Sequence, residues 1–140
     1  MDDRIFYHLS QSENKIKIYM KKVFKEKGII ISPAQIGILF LLLKNNSQSM
    51  SDLSTALEID NSSITRLVDN LERLNFVKRE LNPGDRRQFF ISLTGEGRKE
   101  INRTKKVVRE INGKMKEGIP ENELGVFFKV INQMCMNLGK

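Results

Sequence analysis

Asn61-Ser62-Ser63-Ile64-Thr65-Arg66-Leu67-Val68-Asp69-Asn70-Leu71-Glu72-Arg73-Leu74-Asn75-Phe76-Val77-Lys78-Arg79-Glu80-Leu81 changes its hydrophobic period partway along. Up to Leu74 the apolar residues Ile64, Leu67, Val68, Leu71 and Leu74 follow steps of three and four, which predicts an amphipathic helix from about Ser62 to Leu74. From Phe76 the side chains alternate, as in a half-buried strand. Asn75 stands at the junction, and Asn tolerates the left-handed conformation that often closes a helix.

On the amino-terminal side, Ser51 is expected to cap a short helix with Leu53, Ala56 and Leu57 on one face. Glu58-Ile59-Asp60-Asn61 separates it from the next, and two helices so joined make a helix-turn-helix candidate. Further upstream, Ser32-Pro33-Ala34-Gln35 is a capping box with proline at the first helical position. It opens a helix through about Leu43 that is apolar nearly all round. Asn45-Asn46-Ser47-Gln48 breaks it. Residues 4–27 form a first amphipathic helix ended by Gly28. On the carboxy-terminal side, strands at 76–81 and 88–93 flank the six-residue turn Asn82-Pro83-Gly84-Asp85-Arg86-Arg87. Thr94 caps a further helix carrying Ile101, Thr104, Val108, Ile111 and Met115. After Gly118-Ile119-Pro120, a last helix from about Glu121 carries Leu124, Phe127, Phe128, Ile131, Met134, Cys135 and Leu138. The fold class is therefore mainly α with a small β-hairpin (α+β), arranged as a winged helix-turn-helix between terminal helices.

Composition narrows the function classes. The chain has 140 residues, 24 Lys+Arg and 17 Asp+Glu, and a formal charge of +7. A domain of this length needs no disulfide or metal staple. One Cys and one His cannot supply a disulfide framework or the ligands of a zinc site, so no cofactor is expected. The longest apolar run, Ile36–Leu43, is eight residues, too short to span a bilayer, and Met1-Asp2-Asp3-Arg4 has no leader features; a cytoplasmic location is the expectation. A single His remote from any partner, no glycine-rich phosphate loop and no demanding carboxylate pair argue against an enzyme.

The charge is uneven. Residues 78–109 hold ten basic and four acidic side chains, net +6, while 1–77 are net +1 and 110–140 neutral. Such a block is either the footprint of a polyanion partner or a solvated helix face. Beside a helix-turn-helix it favours duplex DNA, whose major groove, about 12 Å wide, admits a helix while a hairpin tip reaches the minor groove. The candidate DNA-binding residues are Asn61, Ser62, Ser63, Thr65, Arg66 and Asn70 on the second helix, and Arg79, Asp85, Arg86 and Arg87 on the wing. Arg66 could pair with guanine, clamp a phosphate, or pair with Asp69 or Asn70 nearby. An Asp85–Arg87 pair would stiffen the turn and fix an arginine for a narrow minor groove.

Taken together, Ser32-Pro33-x-Gln35-x-x-Ile38-Leu39, Leu53-Ser54-x-Ala56-Leu57, Ser63 to Glu72, Val77-x-Arg79, Asn82-Pro83-x-Asp85-Arg86-Arg87 and Ile91-x-Leu93-Thr94-x-x-Gly97 resemble the MarR family of bacterial regulators. The resemblance covers about residues 32–97 and departs at Asn75, where many relatives have Gly. It implies one MarR-like domain over 1–140, with the winged helix-turn-helix at 32–97 and dimerisation helices at 4–27 and 98–138. It also implies a homodimer, a repressor on a pseudo-palindromic operator, and in many members a small-molecule or redox effector. Independently, the apolar stripes with Phe6, Phe24, Phe127, Phe128 and Met134 exceed what so short a chain can bury on itself and are expected to pair across a two-fold axis; their alternative is a monomer's own core. Peroxide-sensing members use a cysteine near the amino terminus, whereas Cys135 is expected to be a buried, inert thiol. Zinc-sensing members need several His, and His8 is alone; an organic effector, or none, remains. The six Met residues fit either an adaptable pocket or core. The functional alternatives are a winged-helix protein-interaction module and a sequence-independent nucleoid-type DNA binder.

Overall fold

The computed structural model describes residues 3–139; Met1, Asp2 and Lys140, counted above in the charge and the amino-terminal segment, lie outside the described residues. The elements run α1 (Ile5–Lys27), α2 (Pro33–Lys44), β1 (Gln48–Ser49), α3 (Met50–Leu57), α4 (Asn61–Arg73), β2 (Val77–Asn82), β3 (Asp85–Leu93), α5 (Gly95–Lys116) and α6 (Glu121–Leu138). The chain divides into two compact units, one up to Val107 and one from Val108, so α5 contributes to both.

In the first unit, most helix ends follow from the sequence. Gly28 closes α1 in the left-handed region (φ 70°). Ser32 and Gln35 cap α2 reciprocally: the Gln35 N–H donates to Ser32 Oγ at 3.3 Å and the Ser32 N–H to Gln35 Oε1 at 2.9 Å. Two starts differ from expectation. Ser49, not Ser51, caps α3, exchanging hydrogen bonds with Asp52 at 3.0 and 3.1 Å. The cause is tertiary: Gln48 and Ser49 pair with Ile91 and Phe90, which holds Ser49 extended and lets the helix begin two residues early. This pairing is β1, a strand too short to leave a period-2 pattern, and it completes a sheet of order β1-β3-β2. Second, α4 begins at Asn61, capped by Asp60.

The core lies between α2, α3, α4 and the sheet. Ile38, Leu39, Leu42, Leu53, Ile64, Val68, Leu71 and Ile91 are all at 0% exposure. Each such side chain removed from water contributes about 1.5–3 kcal/mol, which fixes the angle of α4 against the sheet. Asn75 adopts φ 63°, as its cap role requires. Thr94 then locks the sheet to α5: its hydroxyl donates to the Asn75 carbonyl at 2.6 Å and accepts the Gly97 N–H at 2.9 Å. At Gly97 a Cβ would lie 1.9 Å from the Phe76 carbonyl oxygen, so only glycine lets the helix start this close to the strand.

Two expectations about burial are corrected. Phe24, grouped above with the unburied stripes, is core at 6% exposure. In the second unit Cys135 is exposed, not buried, because α6 buries none of its residues there. Phe127 and Phe128 stand 53% and 57% exposed with rings edge to face at 5.7 Å.

Candidate nucleic-acid interface

On α4 the inward stripe is buried, and Asn61, Ser62, Thr65 and Arg66 are exposed, with Ser63 and Asn70 half-buried. Asp60 organises the first turn. Its carboxylate accepts from Ser62 Oγ at 2.6 Å, from the Ser63 N–H at 2.8 Å and from Ser63 Oγ at 2.9 Å. These hydrogen bonds, the Ser62 hydroxyl foremost, pull the Asp60 carboxyl from 3.8 down to about 2. Thr65 donates to the Asn61 carbonyl at 2.8 Å. The three hydroxyl protons are thus engaged within the helix, and the hydroxyls offer lone pairs outward, suited to accepting from base amino groups. The candidate side chains that keep donors are Arg66 and the Asn61 and Asn70 amides.

Arg66 makes no ion pair with Asp69; its Nη2 lies 3.5 Å from Ser63 Oγ. It borders a cleft of about 460 Å³ between the start of α2 and α4, lined also by Ser32, Gln35, Ser63, Leu67 and Asn70. Asn70 is held from inside, where Gln35 Nε2 donates to its Oδ1 at 2.7 Å. That bond ties α4 to α2, so the Asn70 carbonyl oxygen is engaged inside the protein.

Asp69 is taken by Arg79. The Arg79 guanidinium on β2 pairs with Asp69, and its Nε lies 3.7 Å from Glu72 Oε1. The Arg79 side chain is only 23% exposed, so this candidate contact latches the wing to α4 instead of projecting from the protein.

The wing turn is shorter than the sequence suggested: Pro83 and Gly84 alone connect β2 to β3, and Arg86 and Arg87 lie on β3. The ladder pairs Leu81 with Phe89 but Asn82 with Asp85, so Arg86, Arg87 and Gln88 bulge out of it. Asp85 does not pair with the Arg87 side chain; its Oδ1 accepts the Arg87 backbone N–H at 3.0 Å. The bond is made to the backbone, so the Arg87 guanidinium has no carboxylate partner. Asn82 closes the turn, accepting the Gly84 N–H at 2.9 Å.

The basic block now resolves into two groups. Lys78 pairs with Glu80 at 3.0 Å, Lys99 with Glu96 at 3.9 Å, Arg79 with Asp69, and Arg103 with Glu100 at 2.7 Å. Arg103 also donates to the Lys27 and Gly28 carbonyls at 2.6 and 3.1 Å, capping α1. Among the described residues Arg86, Arg87, Arg98, Lys105, Lys106 and Arg109 have no carboxylate partner and are exposed.

Sequence reasoning missed Asp60, although Asp three residues before Ser63 at a helix start is a recognisable cap. It had no means of finding the Gln35–Asn70 and Arg103–Lys27 bonds, which join residues 35 and 76 apart in the chain. Among the described residues no three His, Cys, Asp or Glu side chains cluster as metal ligands, and no helix is long and apolar enough to cross a membrane.

The MarR family profile matches residues 31–89. The HTH-type transcriptional repressor MdtR of Bacillus subtilis is 35% identical over 83 residues, which is 59% of this chain and 52% of that protein. The next two curated relatives are matched over 66% and 63% of their length, so the chain spans about half to two thirds of them. A solved MarR-family regulator from Rhodococcus sp. RHA1 is 28% identical, with TM-score 0.74, over 97% of this chain and 90% of that one. The transcriptional repressor CouR, solved on a 23-mer DNA duplex, shares the fold with TM-score 0.86 at 22% identity, over 94% of this chain and 92% of that one.

Proposed function

The chain belongs to the MarR family of winged helix-turn-helix transcriptional regulators, and on that premise we propose that it is a homodimeric repressor of a pseudo-palindromic operator, released by a small organic ligand. The observation that carries the reading is the contrast within the basic block: Arg79 and Arg103 are tied to other elements of the fold, whereas Arg86 and Arg87 on the bulged wing have no carboxylate partner. Freed guanidinium groups on a stiffened hairpin suit the negative potential of a narrow minor groove. The capped first turn of α4, with its outward lone pairs and Arg66, suits base edges and phosphates of the adjacent major groove. The open apolar face of α6 suits a second copy, and two-fold pairing sets the half-sites one helical turn apart, about 34–36 Å.

An effector site is supported by an apolar pocket of about 690 Å³ in the first unit, walled by Met20, Phe24, Ile29 and Ile31 with Lys21 and Lys25 on its α1 side. An organic molecule bearing an anionic group fits that lining. Gly28 also lines it, and the Gly28 carbonyl is held by Arg103 of α5 at 3.1 Å. Filling the pocket would therefore act on the joint between α1 and α5.

The test is duplex binding as a function of salt, using fragments selected from a random-sequence pool by the wild-type chain. Arg87→Ala is expected to weaken binding and reduce the slope of log affinity against log salt by about one. Equal affinity for selected duplex, random duplex and heparin would favour the protein-interaction or nucleoid-type alternatives.

A further inference from the structure

The hairpin carries an apolar pair that the charge argument leaves unused. Val77 faces Leu93, Arg79 faces Ile91, and Leu81 faces Phe89 in the β2–β3 ladder. Alternation puts these pairs on one face of the hairpin. Along that face Val77, Leu93 and Ile91 are core, Arg79 reaches back to Asp69 on α4, and Leu81 and Phe89 stand 56% and 39% exposed. The exposed pair therefore looks to the same side as the recognition helix, one step short of the bulge that carries Arg86 and Arg87.

We propose that Leu81 and Phe89 form an apolar contact with the deoxyribose walls of the minor groove where the wing enters the duplex. This rests on the wing being a DNA element, as proposed above. Three features point to DNA as the occupant. The patch is two side chains wide, far below the roughly 800 Å² per partner of a stable protein interface. It is bordered by the free cations Arg86 and Arg87, matching a surface in which apolar sugars alternate with phosphates. Its side chains are of the type that wedges against sugars and base steps in minor-groove binders. Their contribution is non-electrostatic, so it adds affinity that salt does not screen.

The test substitutes Leu81→Thr and Phe89→Thr together, since threonine retains strand preference at both sites. Thermal melting should be unchanged, as both side chains are exposed. Affinity for a duplex selected by the wild-type chain should fall about tenfold at every salt concentration, with the salt slope intact. The heat capacity change on binding should become less negative. Phe89→Leu alone should retain most of the affinity. Arg87→Ala serves as the reference, because it lowers the salt slope if the wing meets DNA. Wild-type affinity and heat capacity in the Thr variant, with Arg87→Ala impaired, would overturn this inference and leave the DNA reading standing. No effect from either variant would overturn both. Retained duplex binding together with loss of a protein partner would reassign the pair to protein recognition.

Discussion

Helices α4 and α6 carry the same sequence signal and meet opposite ends. Both space apolar residues three and four apart. In α4 the stripe Ile64, Val68 and Leu71 is at 0% exposure, covered within its own unit by α2 and the sheet. In α6, Val126, Phe127, Phe128, Val130, Met136 and Leu138 are between 43% and 86% exposed. Periodicity thus identifies a helix and its apolar face, and says nothing of what covers it. A winged helix-turn-helix closes on itself because a sheet and two further helices surround α4. A single helix following a short break at Gly118-Ile119-Pro120 has no such neighbours in its unit. An exposed apolar face of this size is the strongest support for the dimer proposal.

Breaking the uncovered face should have the largest effect. Each Phe covered on association contributes about 1.5–3 kcal/mol, and two-fold symmetry counts each substitution twice. Phe127→Asp/Phe128→Asp is therefore expected to weaken dimerisation by roughly a thousandfold or more, read by sedimentation equilibrium. The wild type should also melt at temperatures that rise with protein concentration. A variant that stays dimeric would place the dimer contact elsewhere, and a monomeric wild type with a concentration-independent melt would return these side chains to a monomer's surface.

The covered face should respond differently. Leu71→Ala removes a fully buried side chain from the α4 stripe and is expected to cost about 2–5 kcal/mol in denaturant unfolding. Because that stripe is enclosed by its own chain, the loss should be the same at low and high protein concentration. A loss that grows as the protein is diluted would mean the two faces are energetically one, and the contrast between α4 and α6 would fail.

What the sequence made legible follows the same division. Elements held by local rules were readable: Gly28 closing α1, the Ser32–Gln35 box, Asn75 at its left-handed turn, Thr94 before α5. Elements set by partners distant in sequence were not. Ser49 caps α3 because Phe90 and Ile91 hold it extended, and no local pattern records that. At the site, Arg86 and Arg87 were legible as cations of the hairpin, yet the expected Asp85–Arg87 side-chain pair is a bond from the Arg87 backbone N–H. Arg79 looked like one more wing cation, and became a latch only once Asp69 lay beside it. Charge is legible as a total; which charges are spent within the fold depends on which residues folding brings together.

The smallest expected effect concerns Asp60, where the cap itself titrates. Its carboxyl is drawn from 3.8 to about 2 by Ser62 and Ser63, so the folded state binds that proton more weakly than the unfolded chain. A depressed value of this kind stabilises fully above about 4, and the contribution is lost as pH falls through about 2. Asn caps helices as well as Asp does but carries no titrating group. Wild type and Asp60→Asn are therefore expected to be similar in stability near neutrality when compared by thermal melting. Between pH 4 and 2 the wild type should lose more, and the difference between the two curves isolates this group from every other carboxylate. Parallel curves across that window would mean the serine hydroxyls do not hold the carboxylate, and the first turn of α4 would then present hydroxyl donors outward. That outcome would reverse the hydrogen-bonding sense in which α4 meets the bases under the proposed function, while leaving the buried stripe behind it untouched.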